Sequence, residues 1–586
     1  MHEILIQKNI PATMRDGIIL MSNIYRPTDD GPYPVLLTRM PYGKDLPRDF
    51  TYFDPVRAVE RGYIVVVQDV RGRFASEGDF DSFPQEIPDG HDSVEWAAKL
   101  PGSDGSVGMW GLSYFGKTQW HAAETRPPSL KSIVPGQTWG NHLNGASLRG
   151  GAQELGLIQY WAQASIAPGN LFRKFAGNRE EIANRLPAVL ATADELFAGS
   201  GYDSLPFSEL PNADATLLLG LGRSVDDAAW DAVNIDGKYD RINVPSFHIG
   251  GWYDCFIGET LRQYEAMKEW GGESGTRPPR LLVGPWTHAS FGNTFGGMSF
   301  GMASSGGFIN ANGDFTERHL RWFDATLKND DAALESDPPV EVFVMGENRW
   351  RGFDEWPPPS LEEEWLLRSG GGLSRETPTR SGRAGGTDGA GEADEFDYDP
   401  RSPVPTVGGA TLLAPIHGSG PMDQRNIEAR DDVLTYTSEP FESEYTVIGA
   451  VHATLFAASS APDTDFVVRL TDVHPDGRSI TVTDGIIRAS ARESYPAPGM
   501  VRPTRPSPIE TGRVYEYCVD LWATGVTFGV GHRMRIAVTS SSFPRWDRNL
   551  NTGESGAVSG RTEVARQSVF HDAEHPSRVT MSVVNG

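Results

Sequence analysis

The chain has 586 residues, too many for a single hydrophobic core, so two or three domains are expected. Its formal net charge of -26 excludes nucleic acid and anionic membrane surfaces as partners, and no apolar run is long enough to span a bilayer. The two cysteines, Cys255 and Cys518, are too few and too scattered for a disulfide framework or a metal site.

At the N-terminus, Met1 to Lys8 shows no basic segment followed by an apolar core, so no signal peptide is predicted and a cytoplasmic location is the expectation. Residues 35–38, 63–70, 107–110 and 132–134 are short, strongly apolar and rich in β-branched side chains, the pattern of buried strands in a mostly parallel sheet. Residues 92–100 carry helical spacing and lead into the third of these strands. That strand runs directly into Gly111-Leu112-Ser113-Tyr114-Phe115-Gly116, which precedes a second helical pattern. A serine between small residues at a strand-to-helix turn is lifted clear of the sheet, and the tight turn needs glycine where side chains would collide. The pattern is G-x-S-x-x-G, with Phe115 where the generic motif has its second glycine.

Residues 142–241 change character: 154–161 and 180–186 look helical, with no strand run between them, which reads as a cap over a site. The first domain, opened by 1–141, resumes over 242–334 and closes with a helix at 316–327. Residues 340–344, 446–450, 465–470 and 534–538 then alternate apolar and polar residues, predicting an all-β sandwich over 335–586. Residues 369–394 are rich in Gly, Ser, Thr and Arg and are expected to form a mobile loop.

Two later strand ends give Ser113 its partners. Pro245-Ser246-Phe247-His248-Ile249-Gly250-Gly251-Trp252-Tyr253 runs into Asp254, and Arg280-Leu281-Leu282-Val283-Gly284-Pro285-Trp286-Thr287 runs into His288. A serine hydroxyl needs an imidazole base, and the imidazole needs a carboxylate to fix its tautomer and stabilise its charge. The order Ser, acid, His past successive strand ends is that of an α/β-hydrolase, and it selects Ser113, Asp254 and His288. Gly297-Met298-Ser299-Phe300-Gly301 fits the strict motif better, but no apolar strand precedes it, so it reads as a loop. His248 lies inside a strand and is read as a hydrogen-bonded core residue; His91, His121 and His142 precede any acid strand and are read as surface or supporting residues. Asp69 precedes the serine and is expected to pair with Arg71 or Arg73. For the oxyanion of the tetrahedral intermediate, the Tyr114 N–H is the first donor, and the Tyr42 phenol, in the loop after strand 35–39, is the second candidate.

These residues and several others resemble the bacterial cocaine-esterase family, a branch of the X-prolyl dipeptidyl-peptidase superfamily that also holds α-amino-acid ester hydrolases and cephalosporin acylases. The resemblance rests on Met40-Pro41-Tyr42-Gly43-Lys44, Gln68-Asp69-Val70-Arg71-Gly72-Arg73, Gly111 to Gly116, Gly251-Trp252-Tyr253-Asp254 and Gly284-Pro285-Trp286-Thr287-His288. Further matches are Leu320-Arg321-Trp322-Phe323-Asp324, Val344 to Trp350, Ala461-Pro462-Asp463-Thr464-Asp465-Phe466, and Asn551-Thr552-Gly553. It implies the triad Ser113, Asp254 and His288, an oxyanion hole of Tyr42 and Tyr114, a jelly-roll topology for the β domain, and a cofactor-free, metal-free serine hydrolase. In the α-amino-acid ester hydrolases, carboxylates two and three residues after the catalytic acid help hold a substrate ammonium. Here these positions are Phe256 and Ile257, which favours an apolar or aromatic acyl group. Trp139 and Trp161 are candidates for the same pocket. The expected partner is a small-molecule ester or amide, and self-association is left open. Amino-acid ester hydrolysis, acylase and X-prolyl peptidase activity are the alternatives within the family. A carbohydrate-binding module, using Trp522 or Trp546 as stacking platforms, is the alternative outside enzymes.

Overall fold

The computed structural model describes residues 3–29, 31–45, 52–175, 177–198, 202–203, 205–206, 220–274, 276–375 and 393–584. Among the described residues, ten strands form the first sheet. In chain order its first six are β1 (Ile4–Thr13), β2 (Ile19–Pro27), β3 (Tyr33–Met40), β4 (Ile64–Asp69), β5 (Ser103–Leu112) and β6 (Leu130–Gly136). A two-residue ribbon, β7 (Leu148–Arg149) with β8 (Ala152–Gln153), intervenes before β9 (Phe247–Tyr253) and β10 (Arg280–Thr287). A second ribbon, β11 (Thr294–Phe295) with β12 (Met298–Ser299), precedes β13 (Val340–Val344) and β14 (Arg349–Phe353). Spatially the order is β1-β2-β4-β3-β5-β6-β9-β10-β13-β14, parallel from β4 to β13 and antiparallel at both flanks.

Every residue of β4 is buried, and its Ile64-Val65-Val66-Val67 run suits a strand covered on both faces. Helices supply that cover. The helix Phe315–Leu327 starts at Asp314, whose carboxylate accepts from the Glu317 N–H at 2.9 Å. It lays Phe323 against Gly108 of β5, where a methyl group would meet the ring at 2.7 Å. Because β5, β6, β9 and β10 are adjacent and parallel, their C-terminal ends adjoin, and this edge carries the site.

Between β8 and β9 the cap consists of helices Leu155–Tyr160, Ala167–Lys174, Arg179–Phe197 and Trp230–Val233, with a π-helical turn at Trp161–Ile166. Arg73 ties it down: its guanidinium donates to the Pro41 carbonyl at 2.8 Å and bonds Asn170 of the cap.

The second sheet holds β15 (Leu361–Arg368), β16 (Gly372–Ser374), β17 (Ala393–Tyr398), β18 (Leu434–Thr437), β19 (Tyr445–Ser459) and β20 (Asp465–Val473). It continues with β21 (Ser479–Arg488), β22 (Tyr515–Phe528), β23 (Arg533–Thr539), β24 (Ala565–Phe570) and β25 (Arg578–Val583). Most neighbours in this sheet are distant in sequence, the connectivity that separates Greek-key and jelly-roll sandwiches from simple meanders. β22 pairs with β19 and packs against β21, closing the sandwich.

Two expectations change. Residues 340–344 do not open the sandwich: β13 pairs parallel with β10, so the first sheet runs past residue 334 to Phe353. All five residues of β13 are buried, despite an alternating sequence that resembles a half-exposed strand, because Glu341 is neutralised by Arg318 at 3.0 Å. The expected loop over 369–394 contains β16 and the first residues of β17, and its centre, 376–392, lies outside the described residues.

Candidate active site

Ser113 follows β5 with φ 59° and ψ -126°, a left-handed conformation unusual for a side chain other than glycine. The turn explains the altered motif. The Phe115 ring packs over Gly111, where a methyl group would sit 2.5 Å from it. Gly116 is the residue that passes close to Thr138, at 2.6 Å from a hypothetical Cβ. The second glycine has therefore moved one position on, to where the helix Tyr114–Glu124 meets the loop after β6.

Asp254 follows β9 and is fully buried; His288 follows β10. The His288 Nδ1 lies 2.7 Å from Asp254 Oδ1, and its Nε2 lies 3.0 Å from Ser113 Oγ. The three residues chosen from strand order are thus in one hydrogen-bonded line. The Tyr114 N–H, at the first position of its helix, has no carbonyl one turn back within that helix to bond. The Tyr42 phenol is buried and accepts the Trp161 indole N–H at 3.0 Å, which fixes the phenol and strengthens it as a donor. Trp161 comes from the π-helical turn of the cap and stacks on Tyr114, with centroids 6.5 Å apart and planes at 8°. Phe256 packs edge-on to the His288 ring at 5.2 Å and against Trp139 at 4.6 Å. Of the three pocket candidates, Phe256 touches His288 directly, Trp139 reaches it through Phe256, and Trp161 lies against Tyr42 and Tyr114.

Cys255 is buried, and burial beside Asp254 pushes its thiol well above the ordinary value, so it stays a neutral packing group. His248 donates to or accepts from Ser246 Oγ at 2.8 Å, and burial pushes it down to about 3. His142 receives the Trp139 indole N–H at 3.0 Å and is buried, with His91 at 3.1 Å from Thr125 Oγ1 and His121 at 3.1 Å from Glu124. Ser299 lies in the β11–β12 ribbon and is exposed. Asp69 pairs with neither Arg71 nor Arg73. Its carboxylate accepts the Lys44 N–H at 2.7 Å and faces the Lys44 ammonium at 3.5 Å, while Arg71 turns to Asp89 and Asp16. Trp522 and Trp546 are buried: Trp522 lies under Arg149 at 3.5 Å, and Trp546 donates to Glu154 at 2.9 Å. Neither face is open for a sugar.

Gln137 was not singled out from sequence. Its side-chain amide donates to the Thr287 carbonyl at 3.0 Å and accepts from the Ala289 N–H at 2.8 Å, clasping the backbone on both sides of His288. Thr138 donates to the Ser113 carbonyl at 2.8 Å. Their one sequence signal is position, immediately after β6 on the edge where the other strands end in Ser113, Asp254 and His288.

Residues 16–290 match the model of the X-Pro dipeptidyl-peptidase (S15) family, and residues 332–580 match that of the X-Pro dipeptidyl-peptidase C-terminal non-catalytic domain. Cocaine esterase of Rhodococcus sp. (strain MB1 Bresler) is 35% identical over 593 residues, covering 99% of this chain and 98% of the relative. The chain belongs to the cocaine-esterase family of S15 serine hydrolases. Among solved structures, an α-amino acid ester hydrolase superposes with a TM-score of 0.75 at 26% identity, over 100% of this chain and 97% of that one. An aminopeptidase from the marine sediment archaeon Thaumarchaeota archaeon gives a TM-score of 0.76 at 24% identity with the same coverage, which establishes the shared fold. An α/β-hydrolase domain is joined to an all-β domain, and the enzyme is a hydrolase of small molecules. Among the described residues no helix is long and apolar enough to cross a membrane.

Proposed function

We propose that the chain cleaves carboxylic esters bearing an apolar or aromatic acyl group, with amides as a secondary class, through an acyl-enzyme. The observation that carries this reading is the hydrogen-bonded line Ser113–His288–Asp254, at 3.0 and 2.7 Å, beside the Phe256 ring. Ser113 Oγ attacks the carbonyl as His288 Nε2 takes its proton; Asp254 holds the imidazole and stabilises its cationic form. The Tyr114 N–H and the Tyr42 phenol receive the oxyanion. The alcohol leaves with the proton from His288, and water repeats the sequence on the acyl-enzyme. Gln137 positions His288 without touching the reacting atoms.

Phe256 and Ile257 are buried apolar side chains, and Glu259, the next carboxylate after Asp254, is committed. It accepts from the Gly140, Asn141 and Asn144 N–H groups and pairs with Arg262 at 2.8 Å. A substrate ammonium placed here would lie against apolar surface, a costly arrangement in a closed pocket. The test compares an N-blocked aromatic ester, a free-amine amino-acid ester and an X-prolyl anilide, with Ser113→Ala as control. The blocked ester should give the highest kcat/KM. Preference for either free-amine substrate would replace this reading with the amino-acid ester hydrolase or peptidase one.

A further inference from the structure

Three donor groups converge at one end of the sandwich, on segments that take no part in the hydrolytic site. Asp472 is the penultimate residue of β20, His474 lies in the turn to β21, and His532 immediately precedes β23. Asp472 lies opposite Met534 and Val473 opposite Arg533, so the register brings His532 to the same end of the sheet. Backbone bonds hold both histidines. The His474 N–H donates to the Arg478 carbonyl at 2.8 Å, and its carbonyl accepts from Gly477 at 2.9 Å. The His532 N–H donates to Gly529 at 3.1 Å, and its carbonyl accepts from Phe441 at 2.8 Å.

The side chains meet closely. His532 Nδ1 is 2.8 and 3.0 Å from the two Asp472 oxygens, and His474 Nε2 is 3.4 Å from Asp472 Oδ2. The imidazole centroids are 4.4 Å apart, and the three ligand atoms all lie within 4.8 Å of one another. A proton on His532 satisfies that ring's contact with the carboxylate. The His474 contact is too long for a good hydrogen bond, so one carboxylate serves two rings and satisfies one. A metal ion resolves the arrangement, because a single centre accepts all three lone pairs. Ligands about 2.1 Å from a tetrahedral ion stand roughly 3.4 Å apart; the His474–Asp472 separation already matches this, and the His532–Asp472 separation of 2.8 Å has to widen to reach it. The neighbouring Arg478 does not oppose an ion with a bare charge, since it pairs with Asp476 at 2.8 Å. The side chains of Asp472, His474 and His532 are 12%, 17% and 21% exposed, which leaves a solvent side for entry and for a water as fourth ligand.

We propose that Asp472, His474 and His532 form a binding site for a divalent transition-metal ion. Two imidazoles and one carboxylate suit zinc, and the same donors take cobalt. The ion ties the β20–β21 turn to the turn before β23 and stabilises the sandwich by binding the native state. Cysteine counting could not reveal it, since its ligands are two histidines and an aspartate that come together only through strand pairing.

The test titrates the untagged chain with Co²⁺, read by visible absorption, and with Zn²⁺, read by calorimetry. The expected result is one ion per chain, the intense visible bands of a four-coordinate cobalt site, a Tm raised by a few degrees, and unchanged ester hydrolysis. His474→Asn and His532→Gln, each shown by its far-UV spectrum to be folded, should weaken binding by more than about tenfold. Absence of saturable binding would overturn the proposal, as would binding that survives both substitutions. Asp254, Cys255 and His288 also present ligand atoms within 4.8 Å of one another. Binding that abolishes turnover and persists in both variants would place the ion there instead, and would equally overturn it.

Discussion

The two domains of this enzyme differ in how they arrange their buried basic groups. In the hydrolase domain several buried histidines are kept neutral: burial pushes His248 down to about 3 and His319 to about 4, while burial and then Lys117 take His121 to about 4. Lys117 itself is pushed down to about 7 by burial. Charge pairs are buried there too: Arg39–Glu86 beneath Tyr114 at 2.8 Å, Lys44–Asp69 at 3.5 Å and Arg318–Glu341 at 3.0 Å. The sandwich gathers its buried charges into clusters of several, above all where it meets the cap. Arg545 reaches Asp484 at 2.6 Å, Arg149 donates to the Asp484 carbonyl at 2.6 Å, and Arg488 holds both Asp465 and Asp547 at 2.9 and 3.0 Å. Burial alone would raise Asp484, but Arg545, Arg469 and Arg149 outweigh it and hold the carboxyl below its usual range. The contrast is one of task. Neutral histidines add no charge to the field around Ser113 and His288, whereas the sandwich fixes its geometry with clustered charges that do not change.

The sharpest way to separate the regions is Ser113→Ala, which should lower kcat by about 10⁶ while leaving thermal unfolding nearly unchanged. Turnover retained in that variant would sink the assignment. Asp484→Asn should do the converse: removal of one partner from a buried ion cluster costs about 3–5 kcal/mol, measurable as a lower denaturation midpoint. An unchanged midpoint would mean that the cluster is solvated. Within the hydrolase domain, Tyr42→Phe should lower kcat by roughly 10²–10³ with little change in KM, as for other oxyanion donors. A loss below tenfold would return Tyr42 to a packing role. Gln137→Ala, which frees the backbone around His288, should cost up to about 10² in kcat, and an intact rate would remove it from the positioning set.

The smallest effect tests the neutral histidines by pH. The folded value of His248, about 3, lies below the ordinary 6.5, so between these values the unfolded chain binds the extra proton. Stability therefore rises with pH across that window and is lost on acidification from 6.5 towards 3. The stability gap between the parent and His248→Gln should shrink by up to about 1.4 kcal/mol per pH unit below 6.5, read from urea midpoints. A constant gap would show that His248 is not held neutral.

Legibility in the sequence followed the same division. The parallel sheet declared itself because strands such as β4 are continuously apolar, and because its chemistry sits at strand ends, where Ser113, Asp254 and His288 stand out against Val, Ile and Gly. Gln137 escaped notice because an amide that clasps backbone has no partner recognisable by spacing. The Asp69 partner was misassigned because sequence neighbours Arg71 and Arg73 were nearer than Lys44, which β3–β4 pairing brings across. Strand β13 was placed in the wrong sheet because a short alternating run carries no mark of its pairing partner. That information resides in the helix Phe315–Leu327, whose Arg318 neutralises Glu341.

The junction after β13 has a practical consequence for anyone wishing to excise the catalytic half. Met345 donates its N–H to the Gly525 carbonyl at 2.9 Å and accepts from the Thr527 N–H at 2.8 Å, so the two sheets share main-chain bonds. The Trp252 indole, two residues before Asp254, donates to the Phe343 carbonyl beside Gly525, and the Tyr253 hydroxyl donates to Thr481 of β21 at 2.9 Å. A truncation ending near residue 353 would strip the support from the strand that presents the acid and bare a hydrophobic seam. The hydrolase is better treated as one indivisible unit, to be redesigned in place and not transplanted.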